Sequence, residues 1–142
     1  MADNLLAGRR ILVVEDEMLV LMLIEDMLTD LGCTSVATAA TVEEAFALIE
    51  AQHFDAAMLD VNLNGVKSYP VAEKLAARGV PFFFSTGYSD HGIDGHHDRP
   101  VLTKPYGPRQ IEATFSQLLS HPTTNLTVPR STPAGRSDAP TD

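Results

Sequence analysis

The chain has 142 residues and a formal charge of -9, enough length for one folded unit with a real core and a tail. Its ten Lys and Arg are scattered, which argues against a sequence-independent grip on nucleic acid and against anionic membrane surfaces. Cys33 is the only cysteine, so an internal disulfide is excluded and a structural thiol in a reducing compartment is expected. The start Met1-Ala2-Asp3-Asn4 lacks a secretory pattern, and no apolar stretch reaches the ~18 residues of a membrane span. A soluble, cytoplasmic protein is expected.

Residues 1–7 are read as a flexible lead. Ile11-Leu12-Val13-Val14 is a near-continuous apolar run that ends in Glu15-Asp16-Glu17, as a strand buried on both faces of a parallel sheet does. From Glu17 to Leu31 the Leu, Met and Ile content predicts a mostly buried helix ended by Gly32. A second strand is expected from Ser35 to Ala39. Thr41-Val42-Glu43-Glu44 fits a capping box, with Ala45, Phe46, Leu48 and Ile49 forming the apolar face of a helix to about Gln52. Ala56-Ala57-Met58-Leu59 is a third strand running into Asp60 and the loop Asp60 to Gly65, and a third helix is expected from about Pro70 to Gly79.

Pro81 opens the strand Phe82-Phe83-Phe84, three rings that must be sandwiched between helices to escape water. Tyr88 to Arg99 combines Gly92 and Gly95 with Asp and His and little apolar periodicity, so a fourth helix is expected to be short or disordered. His91, His96 and His97 lie there without a rigid element, and a solvated loop is favoured over zinc. His53 and His121 are expected as surface residues. Val101-Leu102-Thr103 runs into Lys104-Pro105, and Ile111, Phe115, Leu118 and Leu119 give the last helix a one-face stripe. Residues 8–120 form the expected domain. Residues 121–142 are too rich in Pro, Ser and Thr to bury a core and are expected to be a disordered tail, so no output domain is expected after the last helix.

Alternating strands and helices call for an α/β fold, a doubly wound five-stranded parallel sheet with right-handed crossovers. Ligands of such sheets sit outside the carboxyl ends of the strands. Glu15, Asp16, Asp60 and Lys104 therefore converge on one crevice, where three acids and a lysine suggest a Mg²⁺-assisted phosphoryl acceptor. Each residue alone has a plainer reading, a carboxylate after a strand being often a helix N-cap. Their joint placement carries the functional one. Glu17 is read as a solvated first-turn acid.

An acidic pair after strand one, Asp60 after strand three, Thr86 after strand four and Lys104-Pro105 after strand five resemble the receiver domain of bacterial two-component response regulators. More narrowly, Leu59 to Gly65, Pro81-Phe82-Phe83-Phe84-Ser85-Thr86-Gly87-Tyr88 and Arg99 to Tyr106 are similar to the stand-alone FAT GUY receivers, with Ser85 where that motif has Ala. The resemblance implies the flavodoxin-like strand order 2-1-3-4-5. It also implies that Asp60 accepts a phosphoryl group from a sensor histidine kinase, and that a cis bond precedes Pro105.

The chemistry of these residues agrees with those roles. An ionised Asp60 can form an aspartyl phosphate, and Glu15, Asp16, Asp60 and the backbone carbonyl of Asn62 are the hard oxygens Mg²⁺ prefers. Lys104 and the Thr86 hydroxyl are placed to bind phosphoryl oxygens, and Gly87 leaves the approach open. Many receivers carry a switch ring three residues before the lysine, where this chain has Val101. Tyr88 beside Gly87 is the candidate substitute, and a segment from Tyr88 to Arg99 ordered by phosphate is a second route for the signal.

The leading expectation is a single-domain response regulator that signals to a downstream protein partner, with no DNA or membrane contact; it is a signalling module, not an enzyme. A phosphate sink that drains a shared kinase is the alternative within that reading. A Mg²⁺-dependent aspartyl-phosphate hydrolase is the alternative of another class, disfavoured because Asn62 stands where such enzymes want a second Asp.

Overall fold

In the computed structural model, residues 5–87 and 100–120 are described. The elements are β1 (Arg10–Val14), α1 (Met18–Asp30), β2 (Ser35–Ala39), α2 (Val42–Ala51), β3 (Ala56–Asp60), β4 (Asn62–Leu63), β5 (Val66–Lys67), α3 (Tyr69–Ala77), β6 (Phe82–Thr86), β7 (Val101–Thr103) and α4 (Pro108–Ser120). Five parallel strands form one sheet in the order β2-β1-β3-β6-β7. That is the expected 2-1-3-4-5 once the small hairpin β4-β5 is left out of the count.

The period of two along each strand divides the core. Leu12, Val14, Ala57, Leu59, Phe82 and Phe84 pack with α2 and α3 on one face, and Ile11, Val13, Met58, Phe83 and Leu102 pack with α1 and α4 on the other. The three phenylalanines of β6 are fully buried as expected. Phe84 meets Tyr69 edge-on at 6.0 Å between centroids and Phe82 at 5.6 Å, while Phe83 meets Phe115 of α4 at 5.0 Å.

The cap of α2 follows the sequence signal with one change. Thr41 Oγ1 accepts from the Glu44 amide at 3.1 Å, but Glu44 Oε1 takes the Ala40 amide at 2.8 Å, just ahead of the cap. Replacing Thr41 with Ala leaves that first-turn amide without its acceptor and is expected to cost about 1 kcal/mol, read as a lowered midpoint in urea. At the other end of α2, Arg78 donates to the Ile49 carbonyl at 2.9 Å and to Glu50 Oε1 at 2.9 Å, fastening α3 to α2. Cys33 is buried, and burial pushes its thiol pKa up, as a structural thiol requires.

Two expectations need correction. The helix α1 is not mostly buried: Leu21, Ile24 and Leu28 face the sheet, whereas Met18, Leu19, Met22 and Leu23 are exposed. Consecutive apolar residues wind round the whole helix, and only one stripe can meet the sheet. The stretch after Asp60 is not an open loop either. Asn62–Leu63 and Val66–Lys67 pair as an antiparallel hairpin whose turn residues Asn64 and Gly65 have φ of 56° and 91°. Asn-Gly is the strongest short hairpin signal, but strands of two residues are too short to show alternation. No described helix is long and apolar enough to cross a membrane.

Candidate functional site

The same period of two that builds the core carries Glu15, Asp60, Ser85 and Lys104 to the α1/α4 side of the sheet, each continuing a row of residues buried there. Glu15 follows Ile11 and Val13, Asp60 follows Ala56 and Met58, Ser85 follows Phe83, and Lys104 follows Leu102. One carboxylate oxygen from each of Glu15, Asp16 and Asp60 falls within 4.8 Å of the others. Glu15 and Asp60 are buried, whereas Asp16 is half-buried at the rim.

Lys104 reaches across this cluster. Its Nζ lies 3.1 Å from Asp60 Oδ2 and 3.3 Å from Glu15 Oε1. Further hydrogen bonds fix the carboxylates: the Glu17 amide donates to Glu15 Oε2 at 3.1 Å and the Asn62 amide to Asp60 Oδ1 at 3.3 Å. Asp16, Glu17, Asp60, Asn62, Asn64, Gly65, Gly87 and Lys104 line a cavity of about 360 Å³. Glu17 is an exposed member of its wall and the N-cap residue of α1. Asn62 is held by the hairpin, its Oδ1 accepting from the Gly65 amide at 2.7 Å.

The electrostatics follow from burial. Desolvation first, and the charge of Asp60 second, push Glu15 from 4.5 to about 7. Desolvation also raises Asp60 against the lowering pull of Lys104. Burial pulls Lys104 down, yet Asp60 and Glu15 outweigh it and hold the ammonium above its usual range. Clustered, mutually repelling carboxylate oxygens suit a divalent metal, and Lys104 offsets only part of their charge. The donor set fits Mg²⁺: three carboxylate oxygens cluster at hard-ligand spacing, and Glu15 Oε1 is buried with no hydrogen-bond partner beyond its ion pair.

Thr86 ends β6 beside this cluster, and its hydroxyl donates to the Gly87 carbonyl at 3.3 Å. The Lys104-Pro105 bond is cis, as the resemblance implied. Val101 is exposed on β7, so no ring occupies the position three before Lys104. Tyr88, the histidines His91, His96, His97 and His121, the expected weak fourth helix and the tail lie outside the described residues.

Sequence reasoning missed Tyr106. Its half-buried ring packs against the α1/α4 core, and its hydroxyl is buried without a hydrogen-bond partner. Desolvation first, and Glu15 second, raise the phenol to about 12, with the Ser85 hydroxyl pulling the other way. The phenol is therefore a donor at neutral pH. Tyr106 also lines an apolar groove of about 210 Å³ with Val20, Leu23, Ile24, Met27, Lys104 and Pro105. The available signal was a lone aromatic two residues after the strand-end lysine.

A parallel sheet of this order, with acids at the ends of its first and third strands and a lysine after its fifth, is the architecture of an α/β receiver domain. The response regulator receiver domain pattern matches residues 11–116, and the chain belongs to that family. It is 50% identical to SdrG from Sphingomonas melonis Fr1, with a TM-score of 0.71 over 78% of this chain and 96% of that one. A BeF3-activated conformation of SdrG, named there from Pseudomonas melonis Fr1, matches at 47% identity and a TM-score of 0.69 over 84% of this chain and 99% of that one.

The receiver domain of sensor histidine kinase PA1611 from Pseudomonas aeruginosa PAO1, solved with a magnesium ion coordinated in its active site cleft, is 25% identical with a TM-score of 0.66, over 80% of this chain and 99% of that one. Among curated proteins, the transcriptional regulatory protein TcrA of Mycobacterium tuberculosis is 35% identical over 79% of this chain and 46% of its own length. The chain spans about half the length of the curated relatives it matches.

Proposed function

We propose that this chain is a response regulator that accepts a phosphoryl group on Asp60 from a phosphohistidine of a sensor histidine kinase and signals through protein contacts. The observation that carries the reading is the Lys104 ammonium set 3.1 Å from Asp60 and 3.3 Å from Glu15, with Asp16 in the same cluster. Glu15, Asp16, Asp60 and the Asn62 carbonyl would hold Mg²⁺. Bound there, the ion would keep Asp60 ionised and offset charge on the phosphoryl oxygens.

In the transfer, the phosphorus–nitrogen bond to histidine breaks as an Asp60 oxygen forms its bond to phosphorus, and the imidazole leaves with the electron pair. Lys104 pairs with one phosphoryl oxygen. The Thr86 hydroxyl exchanges its Gly87 acceptor for another, and Gly87 keeps the approach clear. The exposed apolar side of α1, which begins beside the crevice, supports a protein as the donor in place of a small phosphoester. Asn62 supports the same reading: its carboxamide does not titrate, so it supplies no acid or base for turnover of free substrates, and its oxygen accepts from the Gly65 amide in the hairpin turn.

The stretch Pro81-Phe82-Phe83-Phe84-Ser85-Thr86-Gly87 supports placement with the FAT GUY receivers. Labelling with acetyl phosphate tests the proposal. Wild-type protein is expected to take up one phosphoryl group only when Mg²⁺ is present, and Asp60→Asn none. Equal labelling of the two proteins would remove Asp60 from the reaction.

A further inference from the structure

The hairpin β4-β5 has two sides, and each borders a cavity. Its register pairs Asn62 with Lys67 and Leu63 with Val66, so the period of two puts the first pair on one side and the second pair on the other. Asn62 lines the crevice that holds Asp60. Leu63 and Val66 line a second cavity of about 500 Å³, larger than the crevice at about 360 Å³. Asp16 and Asn64 line both, so the second cavity adjoins the phosphorylation site across the hairpin tip.

The lining of this second cavity has two parts. Leu63 is buried, Val42 at the start of α2 is half-buried and Val66 is 57% exposed, which makes one part apolar. The other part is Glu43, an exposed acid in the first turn of α2 that has no hydrogen bond or ion pair to a described residue, whereas Glu44 beside it is spent on the Ala40 amide. Among the described residues no Lys or Arg lines the cavity. Asp16 is its second acid, but Asp16 belongs to the Mg²⁺ cluster, so Glu43 is the carboxylate left for a visitor once the metal is bound. An acidic visitor would be repelled, and a purely apolar one would take water from Glu43 without replacing it. A long basic side chain suits both parts, its methylene stem against Val42, Leu63 and Val66 and its charged head at Glu43.

We propose that this cavity takes a Lys or Arg side chain of the protein that donates the phosphoryl group, so that the donor straddles the hairpin tip with its phosphohistidine in the crevice and a basic neighbour beyond Asn64. The inference rests on the phosphoacceptor reading above and adds to it which donor is preferred. The crevice carries out the transfer whatever surrounds the histidine, and the cavity reads a residue that takes no part in it. A formal charge of -9 favours encounter with a basic partner in the same sense. Glu43 is thus a specificity residue and touches none of the reacting atoms.

The test uses the whole chain with Mg²⁺ and synthetic peptides that carry one phosphohistidine flanked on both sides by arginine, by alanine or by glutamate. At low salt the arginine peptide is expected to transfer about fivefold faster than the alanine peptide, the scale of an exposed ion pair. Glu43→Gln is expected to remove most of that advantage, and Glu43→Lys to pass it to the glutamate peptide. Glu112→Gln, the same loss of charge on α4 across the sheet, is expected to keep it, which separates the cavity from net charge. An arginine advantage that is absent from the wild type, or that survives Glu43→Gln, overturns the assignment of the cavity and leaves the phosphoacceptor reading standing if acetyl phosphate still labels Asp60. A wild-type chain that dimerises in the ultracentrifuge and loses the dimer on Glu43→Lys overturns the donor as occupant in favour of a second copy. Absence of labelling by acetyl phosphate and by every peptide overturns both readings.

Discussion

Lys104→Met is expected to lower the thermal midpoint of the metal-free protein by about 10 °C at about pH 7.5, and Mg²⁺ is expected to restore most of the loss. Met keeps the packed stem of the side chain but removes the ammonium, leaving Glu15 and Asp60 buried beside one another. Removing one partner of a buried pair costs about 3–5 kcal/mol. Lys104 retains a quarter of its exposure, and solvent screening reduces the figure to about 2–3 kcal/mol, or about 4 °C for each kcal/mol in a domain of this size. Near pH 5.5 the penalty is expected to shrink, because a buried acid without its cation takes up a proton and neutralises. Thermal melts in chelator and in Mg²⁺ at both pH values check this; equal midpoints for variant and wild type in chelator would show that the ammonium does not hold the carboxylates.

The pH dependence of the wild-type protein is the second large effect. Burial and the charge of Asp60 keep Glu15 protonated in the folded chain up to about pH 7, against an ordinary value of 4.5. Between those values the folded state holds a proton that the unfolded state has released, so stability falls as pH rises through that window. The gap amounts to about 3 kcal/mol in all. Asp60, also raised by burial, adds in the same direction. Lys104 is raised, so its contribution is present throughout this window and is lost only in alkali.

The metal-free protein is therefore expected to melt about 10 °C higher near pH 5.5 than near pH 7.5. Mg²⁺ should reverse the trend, because it binds the deprotonated carboxylates and competes with the proton. Its stabilising effect is thus expected to grow toward the higher pH. A midpoint in chelator that is flat between the two would contradict a buried, proton-holding Glu15.

The sheet and most of the site were legible in the sequence because they rest on strong local signals. Apolar runs of four or five residues give strands buried on both faces, and a period of two then decides that Glu15, Asp60 and Lys104 share a side. The Thr41 cap lies in one short stretch and was legible for the same reason. Less local features were harder to read. How much of α1 is covered depends on which stripe meets the sheet, and runs such as Met18-Leu19 and Met22-Leu23 do not encode that choice. The burial of Tyr106 depends on α1 packing against the segment after β7, a contact between opposite ends of the domain. The Asn64-Gly65 hairpin was marked by its turn residues, yet its two-residue strands carry no pattern of their own.

The three rings of β6 have a mechanical consequence. Phe82 and Phe84 brace the strand against one helical layer and Phe83 against the other, through Tyr69 and Phe115. A strand clamped from both sides along three residues is stiff, and its last two residues stay in the sheet, Ser85 paired with Asp60 and Leu102 and Thr86 with Thr103. Force applied there by a bound anion has little leverage on the strand below Phe84. A displacement there is expected to pass across the ladder to β7, because Thr86 pairs with Thr103 and its carbonyl accepts from the Lys104 amide at 2.8 Å.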